Sequence, residues 1–194
     1  MNETRLTPDL LPEPTLRRQP WYLAYLTTLR NKGVEYVSSR RIAQDLDVQA
    51  SQIAKDLSVL DIKGKTRIGY EVNALEARLR DFLGFGHRHN AVMVGVGSLG
   101  AALMRDSGLL RYGLKIVGGV DTDPALVGTD IDGVPVWMPE QLPRLVKEHQ
   151  ISIAIIAVPI EAAQSAADSA VEAGIRALWN FTPTRIRVDR GVVF

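Results

Sequence analysis

Residues 91–100 read AVMVGVGSLG: an apolar run feeding Gly95-Val-Gly97-Ser-Leu-Gly100, followed at once by the helix formers Ala101, Ala102, Leu103 and Met104. A second apolar run, Lys115 to Val120, ends in Asp121, twenty-one residues past Gly100. Strand, glycine turn, helix and a second strand closed by an acid form the dinucleotide-binding fingerprint in its proper setting. The first glycine permits the tight turn, the second admits a pyrophosphate against backbone, and the third lets helix pack on strand. The pyrophosphate would lie at the helix N-terminus, where unpaired N–H groups and the helix dipole favour negative charge. Asp121 can accept from both adenine-ribose hydroxyls and would repel a 2′-phosphate, so the ligand read from these residues is NAD(H) rather than NADP(H).

Downstream the alternation continues. Lys115–Asp121 and Val134-Pro135-Val136-Trp137 read as strands, 140–149 as a helix, and ISIAIIAV (151–158) as a strand buried on both faces. Residues 161–173 read as an alanine-rich helix stopped by Gly174, and 177–181 as a further strand. The expected fold is α/β, a Rossmann-type doubly wound parallel sheet. In such sheets ligands bind outside the carboxyl ends of the strands. Those ends carry Gly95, Asp121, Ala157-Val158-Pro159 and Asn180-Phe181. They outline a cofactor path with adenosine at Asp121, pyrophosphate over Gly97–Gly100 and nicotinamide toward Pro159 and Phe181. A plainer reading makes Pro159 and Phe181 ordinary loop and core residues. An apolar nicotinamide pocket would disfavour the cationic oxidised ring by desolvation and so respond to redox state.

About ninety residues precede the fingerprint. Residues 1–18, with three prolines and scattered charges, read as a mostly extended arm. From Pro20 the pattern turns helical, with Tyr22, Leu26 and Leu29 at i, i+4, i+7 and Gly33 as the stop. Ser38-Ser39 caps a short helix from Arg40 to Leu46, and Asp47-Val48 turns the chain. A third helix is expected from about Ala50 to Leu60, with Ile53, Leu57 and Leu60 inward and Ser51, Gln52, Lys55 and Asp56 outward. That is a helix-turn-helix, whose second helix enters the major groove. Lys63-Gly-Lys65-Thr-Arg67-Ile-Gly69-Tyr70 then suits a β-hairpin wing with a cationic tip, before another helix from Leu75 to Leu83. Residues 1–89 carry 14 Lys/Arg against 11 Asp/Glu, and 90–194 carry 9 against 11, an offset that leans the first half toward an anionic partner. A small helical domain that only dimerises, with the wing a solvated loop, is the competing reading.

The expected division is therefore a winged helix-turn-helix with its arm over 1–84, a linker over 85–90 and the NAD(H)-binding sheet over 91–194. His87 and His89 are spaced i, i+2, yet no third ligand is in view, so they read as a solvated linker and no metal is expected. With 46% apolar and 23% charged residues and no cysteine, the 194-residue chain excludes disulfides, thiolate metal sites and a cysteine nucleophile. It holds no apolar run near the roughly 18 residues of a membrane span, and its first residues lack a signal-peptide core, so the expectation is a cytoplasmic protein. A dehydrogenase also needs a proton-transfer group. His149 falls at the edge of the sheet opposite the strand carboxyl ends, and no substrate domain follows the fold. Nicotinamide binding without a catalytic acid or base reads as a sensor, not an enzyme.

The combination of VSSRRIAQDLDV (37–48), SQIAKDLS (51–58), GKTRIGYEV (64–72), VGVGSLGAAL (94–103), VDTDPALVGTDIDGVPV (120–136), AVPIEAAQ (157–164) and NFTPTRIRV (180–188) resembles the Rex family of bacterial redox-sensing repressors, from about Pro12 to Arg187. The resemblance implies a homodimer on a palindromic operator, with one recognition helix per half-site and release of the DNA when NADH binds. It implies DNA contacts from Ser51, Gln52, Lys55, Lys65 and Arg67. It implies cofactor contacts from Gly95, Gly97, Ser98, Leu99, Gly100, Asp121, Thr122, Val158 and Pro159. Three positions depart from the family pattern: Ser98 replaces Asn, Asp106 replaces a Tyr tied to switching, and the wing reads KTRIG instead of KRGVG. The resemblance also implies a further C-terminal helix swapped onto the partner's cofactor domain, beyond Phe194. A small NAD-dependent oxidoreductase and a CoA-binding Rossmann module are the rival readings, the second sharing the Val-Pro-x-Glu-Ala-Ala run at 158–163.

Overall fold

The computed structural model describes residues 12–60 and 62–194. The chain divides between Gly86 and His87 into two compact units.

The first unit opens with a helix earlier than the prolines suggest. Helix α1 spans Glu13–Asn31, so the part of the expected arm from Glu13 to Arg18 is helical, and the first eleven residues lie outside those described. Pro14 sits in the first turn, where its missing N–H is harmless. Pro20 lies inside the helix instead of starting it, at the cost of one backbone hydrogen bond. What holds this segment helical is its buried face: Thr15, Gln19, Tyr22, Leu23, Leu26 and Leu29 all point inward. The first two are polar, so hydrophobic periodicity could not see them.

Strand β1 (Tyr36–Val37) leads into α2 (Ser39–Leu46), whose cap Ser38 accepts the Arg41 N–H on its hydroxyl at 3.1 Å. Asp47 makes the turn in the left-handed region at φ 53°, and α3 (Ala50–Ser58) follows, ending two residues short of the expected Leu60. Strand β2 (Tyr70–Glu71) pairs antiparallel with β1, and α4 (Val72–Phe82) packs on α1. Between α3 and β2 the chain forms the wing, closed by a bridge between Lys65 and Gly69. Gly69 has φ +107°, and a Cβ there would stand 2.3 Å from the Val37 carbonyl, so the base of the wing requires glycine. Tyr22, Leu26, Ile42, Ile53, Leu57, Val72, Leu75 and Leu79 form the core of this winged helix-turn-helix.

The second unit starts at β3 (His89–Val94), so His89 and Asn90 belong to the sheet and not to the linker. It continues through α5 (Ser98–Arg105), β4 (Leu114–Val120), β5 (Asp130–Ile131), β6 (Val134–Trp137), α6 (Leu142–His149), β7 (Ile151–Ile156), α7 (Ala163–Glu172) and β8 (Ala177–Asn180). Spatial order is β5-β6-β4-β3-β7-β8, parallel except for the short β5–β6 hairpin. Reading β3 as the first strand, the parallel core has the Rossmann order 3-2-1-4-5. The order reverses at β3, which places the ligand crevice directly over the glycine turn. Two apolar layers fill the sheet's faces, one under α6 and α7 and one beneath α5.

Candidate functional site

Strand β3 delivers the chain into the turn. Gly95 has φ +90°, and a side chain there would meet the Ala157 carbonyl at 2.5 Å. A Cβ on Gly100 would stand 2.0 Å from the Gly95 carbonyl, so α5 rests directly on the turn. Gly97 differs from both. Its φ of −67° suits any residue, and a Cβ there would meet nothing within 4 Å. Neither local conformation nor neighbouring protein explains a glycine at this position; in dinucleotide-binding folds the second glycine leaves such a space for a pyrophosphate to approach backbone. Gly97 is the N-cap of α5 and no side chain caps the helix, so its first-turn N–H groups face that space. Ser98 and Leu99 stand exposed beside it.

Asp121 follows the end of β4. One of its oxygens accepts the Val96 N–H at 2.6 Å and the other accepts the Asp123 N–H at 2.9 Å. The carboxylate thus ties the glycine turn to the β4 loop. A carboxylate has about four acceptor sites; two are used, and two remain for a vicinal diol. A cavity of about 320 Å³ opens between these parts. Gly95, Gly97, Asp121, Thr122, Val158 and Pro159 line it together with Pro139, Leu142, Ser165 and Ser169. The last four were not anticipated. Ser165 and Ser169 are spaced i, i+4 on α7, and that spacing of small residues beside an alanine stripe is the one sequence signal that could have marked them.

Asn180 and Phe181 lie outside the lining of this cavity. The Asn180 side chain donates to the Thr182 and Thr184 carbonyls and accepts from the Thr182 N–H and hydroxyl, which shapes the turn after β8. Phe181 packs against Trp179 with ring centroids 4.8 Å apart. His149 is held at the far edge of the sheet, where its carbonyl accepts from Asn90 at the start of β3. Among the lining residues Asp121 is the one titratable group, and its oxygens are engaged in bracing the turn. Asp106 caps the short 3₁₀ turn 107–112 by accepting the Gly108 N–H at 2.7 Å. Among the described residues no three potential metal ligands come together.

In the first unit, Ser51 and Lys55 are exposed on α3. Asp56, expected on the same outer stripe, is fully buried instead. Its carboxylate receives a two-pronged bond from Arg18 at 2.5 and 2.9 Å, the Tyr22 hydroxyl at 2.6 Å, Thr15 at 3.2 Å and the Gln52 amide at 2.7 Å. Burial alone would raise this carboxyl's pKa, but the donors from Arg18, Tyr22 and Gln52 outweigh it and hold Asp56 below the ordinary carboxylate range. The cause of the displaced stripe is α1: once the segment around Arg18 is helical, α3 must turn Asp56 toward it. Gln52 is consequently half-buried. On the wing, Arg67 is exposed at φ 67°, and the Lys65 ammonium donates to the Tyr36 hydroxyl at 2.9 Å while lying 4.9 Å from that ring's centre.

A winged helix-turn-helix joined to a Rossmann unit with a dinucleotide cradle defines a ligand-responsive DNA-binding regulator. The chain is 52% identical to the redox-sensing transcriptional repressor Rex of Bacteroides fragilis over 183 residues, covering 94% of this chain and 83% of that one. It belongs to the Rex family of redox-sensing transcriptional repressors. The Rex of Roseiflexus sp. is 40% identical over 93% of this chain and 82% of its own. Among solved structures, the Rex-family repressor RSP in complex with β-NAD+ and operator DNA is similar with a TM-score of 0.91 at 33% identity, covering 95% of this chain and 85% of that one. RSP in complex with β-NADH is similar with a TM-score of 0.87 at the same identity, over 95% and 86% of the two chains. Residues 11–58 match the family described as "Putative DNA-binding protein N-terminus" and residues 87–184 the family "CoA binding domain". These relatives are named as repressors, not enzymes, which sets aside the oxidoreductase reading.

Proposed function

We propose that the protein represses transcription by binding a palindromic operator as a homodimer through its winged helix, and leaves the operator when NADH occupies the Rossmann unit. The observation that carries the ligand half is Gly97, a glycine that neither backbone angle nor packing demands, next to a carboxylate with two acceptor sites to spare. In this reading residues 1–84 read DNA and residues 91–194 hold the cofactor. The adenosine lies toward Asp121 and Thr122, the pyrophosphate over Gly97–Gly100, and the nicotinamide toward Val158 and Pro159. Bound NADH supplies the redox signal. The chain's own residues orient it, and the apolar surface at Val158 and Pro159 favours the neutral reduced ring over the cationic oxidised one.

Ser51, Gln52 and Lys55 face the major groove, and Lys65 and Arg67 reach the phosphate backbone or minor groove. Two half-sites match two recognition helices, as dimeric helix-turn-helix proteins require. A repressor of this kind works where the chromosome is, in the cytoplasm; among the described residues no helix is long and apolar enough to cross a membrane. Position 106 cannot work as a tyrosine relay, since Asp106 is committed as a cap.

The test is fluorescence anisotropy on a library of palindromic promoter duplexes, with NADH and NAD+ titrated separately. Operator binding weakened by NADH far more than by NAD+ is expected. Operator binding indifferent to NADH overturns the proposal.

A further inference from the structure

Helix α3 presents to DNA a glutamine that is not free to turn. Gln52 reaches back one helical turn to Asp56, and the contact is 2.7 Å. Asp56 has no exposed surface and already carries a guanidinium, a phenol and a threonine hydroxyl on its two oxygens. Every one of those groups arrives from α1, so the carboxylate is fixed in place by a separate helix. An ionised carboxylate only accepts hydrogen bonds. The atom of Gln52 that meets it must therefore be the NH₂ nitrogen, and the amide cannot flip without setting two acceptor oxygens against each other in a half-buried site.

With its nitrogen drawn toward Asp56, the amide's Oε1 is directed away from it. We infer that Asp56 fixes the Gln52 amide so that its carbonyl oxygen is what the recognition helix offers to the base it faces, which favours adenine or cytosine there. Those two bases carry an exocyclic amino donor in the major groove, whereas guanine and thymine present O6 or O4 acceptors there. An unconstrained glutamine could turn its whole NH₂ toward guanine or thymine; this one has one of its two N–H donors held by Asp56, so swinging the carbonyl away from the base to present the nitrogen in its place would break that bond. Asp56 is thus a positioning residue for base choice. The inference rests on the reading of α3 as the recognition helix.

The experiment is selection from duplexes randomised across the half-site, followed by anisotropy with single-base variants, using the full chain. Wild type should show one position per half-site where adenine or cytosine binds about tenfold tighter than guanine or thymine. Gln52→Met, of similar shape with no polar head, should reduce that ratio below about twofold at this position alone and leave NADH binding unchanged. Replacing the adenine by purine, which lacks the amino group, should cost wild type about the same tenfold and Gln52→Met nothing further. Asp56→Asn should admit guanine or thymine at this position, provided its thermal melt still shows a folded first unit. If it does not fold, the Gln52→Met and purine cycle decides alone. A preference for guanine or thymine at the position that Gln52→Met alters overturns the inference, as do additive losses in the cycle or no altered position at all. Failure of wild type to bind any operator would instead overturn the DNA-binding reading on which it rests.

Discussion

Substituting Gly97 by alanine separates ligand binding from folding more cleanly than any other change in the glycine turn. At φ −67° alanine is unstrained, and its methyl group would meet no protein atom within 4 Å. The folded protein should lose nothing and gain about 0.4–1 kcal/mol through the stiffer unfolded chain. The same methyl stands where the proposed placement brings the pyrophosphate to the first N–H groups of α5. Lifting the phosphates off one or two of those donors forfeits hydrogen bonds to a charged group, each worth about 1.5–3 kcal/mol, which is on the order of a 100-fold loss of affinity. The readout is thermal unfolding with and without NADH. At 100 times its Kd, a ligand stabilises the native state by about 2.7 kcal/mol, and for a domain near 100 residues each kcal/mol is worth roughly 4–8 °C. Wild type should therefore rise by roughly 10–20 °C at that concentration. A variant weakened 100-fold gains about 0.4 kcal/mol from the same NADH and should rise by roughly 2–3 °C. Gly100→Ala is the contrast, because its Cβ would lie 2.0 Å from the Gly95 carbonyl; overpacking there should cost about 1–3 kcal/mol before any ligand is added. Undiminished stabilisation of Gly97→Ala by NADH would refute the placement of the pyrophosphate over this turn.

Arg18→Ala leaves the buried Asp56 carboxylate without its cation and should destabilise the first unit by about 3–5 kcal/mol, read by urea unfolding, while NADH binding persists; unchanged stability would show the pair to be dispensable. Because the folded-state pKa of Asp56 lies below its unfolded value of 3.8, its contribution is fully present above about pH 5 and lost as the pH falls through the folded value, so the acid limb of a stability–pH curve should flatten in Asp56→Asn. Asp121→Ala should weaken NADH, narrow the preference for NADH over NADPH and leave operator binding without ligand intact. It also removes the brace on Val96, worth about 1–3 kcal/mol of second-unit stability, and loss of operator binding as well would mark the residue as purely structural. Lys55→Ala should lower operator affinity with no change in NADH titrations; if Lys55 meets a phosphate, the slope of log K against log salt should fall by about 0.9, and an unchanged affinity would remove Lys55 from the interface.

The parts legible in the sequence were those where a residue type answers a backbone demand. Glycines at 95 and 100, Ser38 as a cap and the acid closing β4 each have a local reason to stand where they do, and local reasons survive without coordinates; Gly97 was legible only through its spacing from the other two. The rest depended on partners far along the chain. The first turns of α1 bury Thr15 and Gln19, whose pattern resembles solvent-facing helix, and two prolines argued against any helix there. Asp56 falls on the polar stripe of α3 by period alone; only the packing of α1, some forty residues earlier, turns it inward. Asn180 is the last residue of β8, at a strand's carboxyl end as a ligand-binding residue would be, yet its amide is spent on the turn that follows. Ser165 and Ser169 reach the cavity because α7 lies over β7, a tertiary fact that an alanine-rich helix does not announce.

The geometry also limits where the switch can reside. A ligand shifts an equilibrium only through contacts that differ between the two states. The pyrophosphate cradle is a poor candidate, because it has little room to change: Gly95 sits against the Ala157 carbonyl, Gly100 against the Gly95 carbonyl, and Asp121 ties Val96 to the next loop. In the proposed placement, contacts made there would hold NADH equally in both states and set affinity, not response. Moving the proposed dimer from 1:99 to 99:1 would take about 5.5 kcal/mol, so with one NADH per subunit each ligand would have to supply roughly 2.7 kcal/mol of difference. In the proposed placement that difference has to arise where neighbouring groups can rearrange around the nicotinamide, beyond Val158 and Pro159. Asp106 offers no tyrosine for the purpose and is itself tied into the start of the 3₁₀ turn 107–112. Of these parts, the glycine turn therefore defines what is sensed, and the response must be carried by the less constrained surface at the other end of the cofactor.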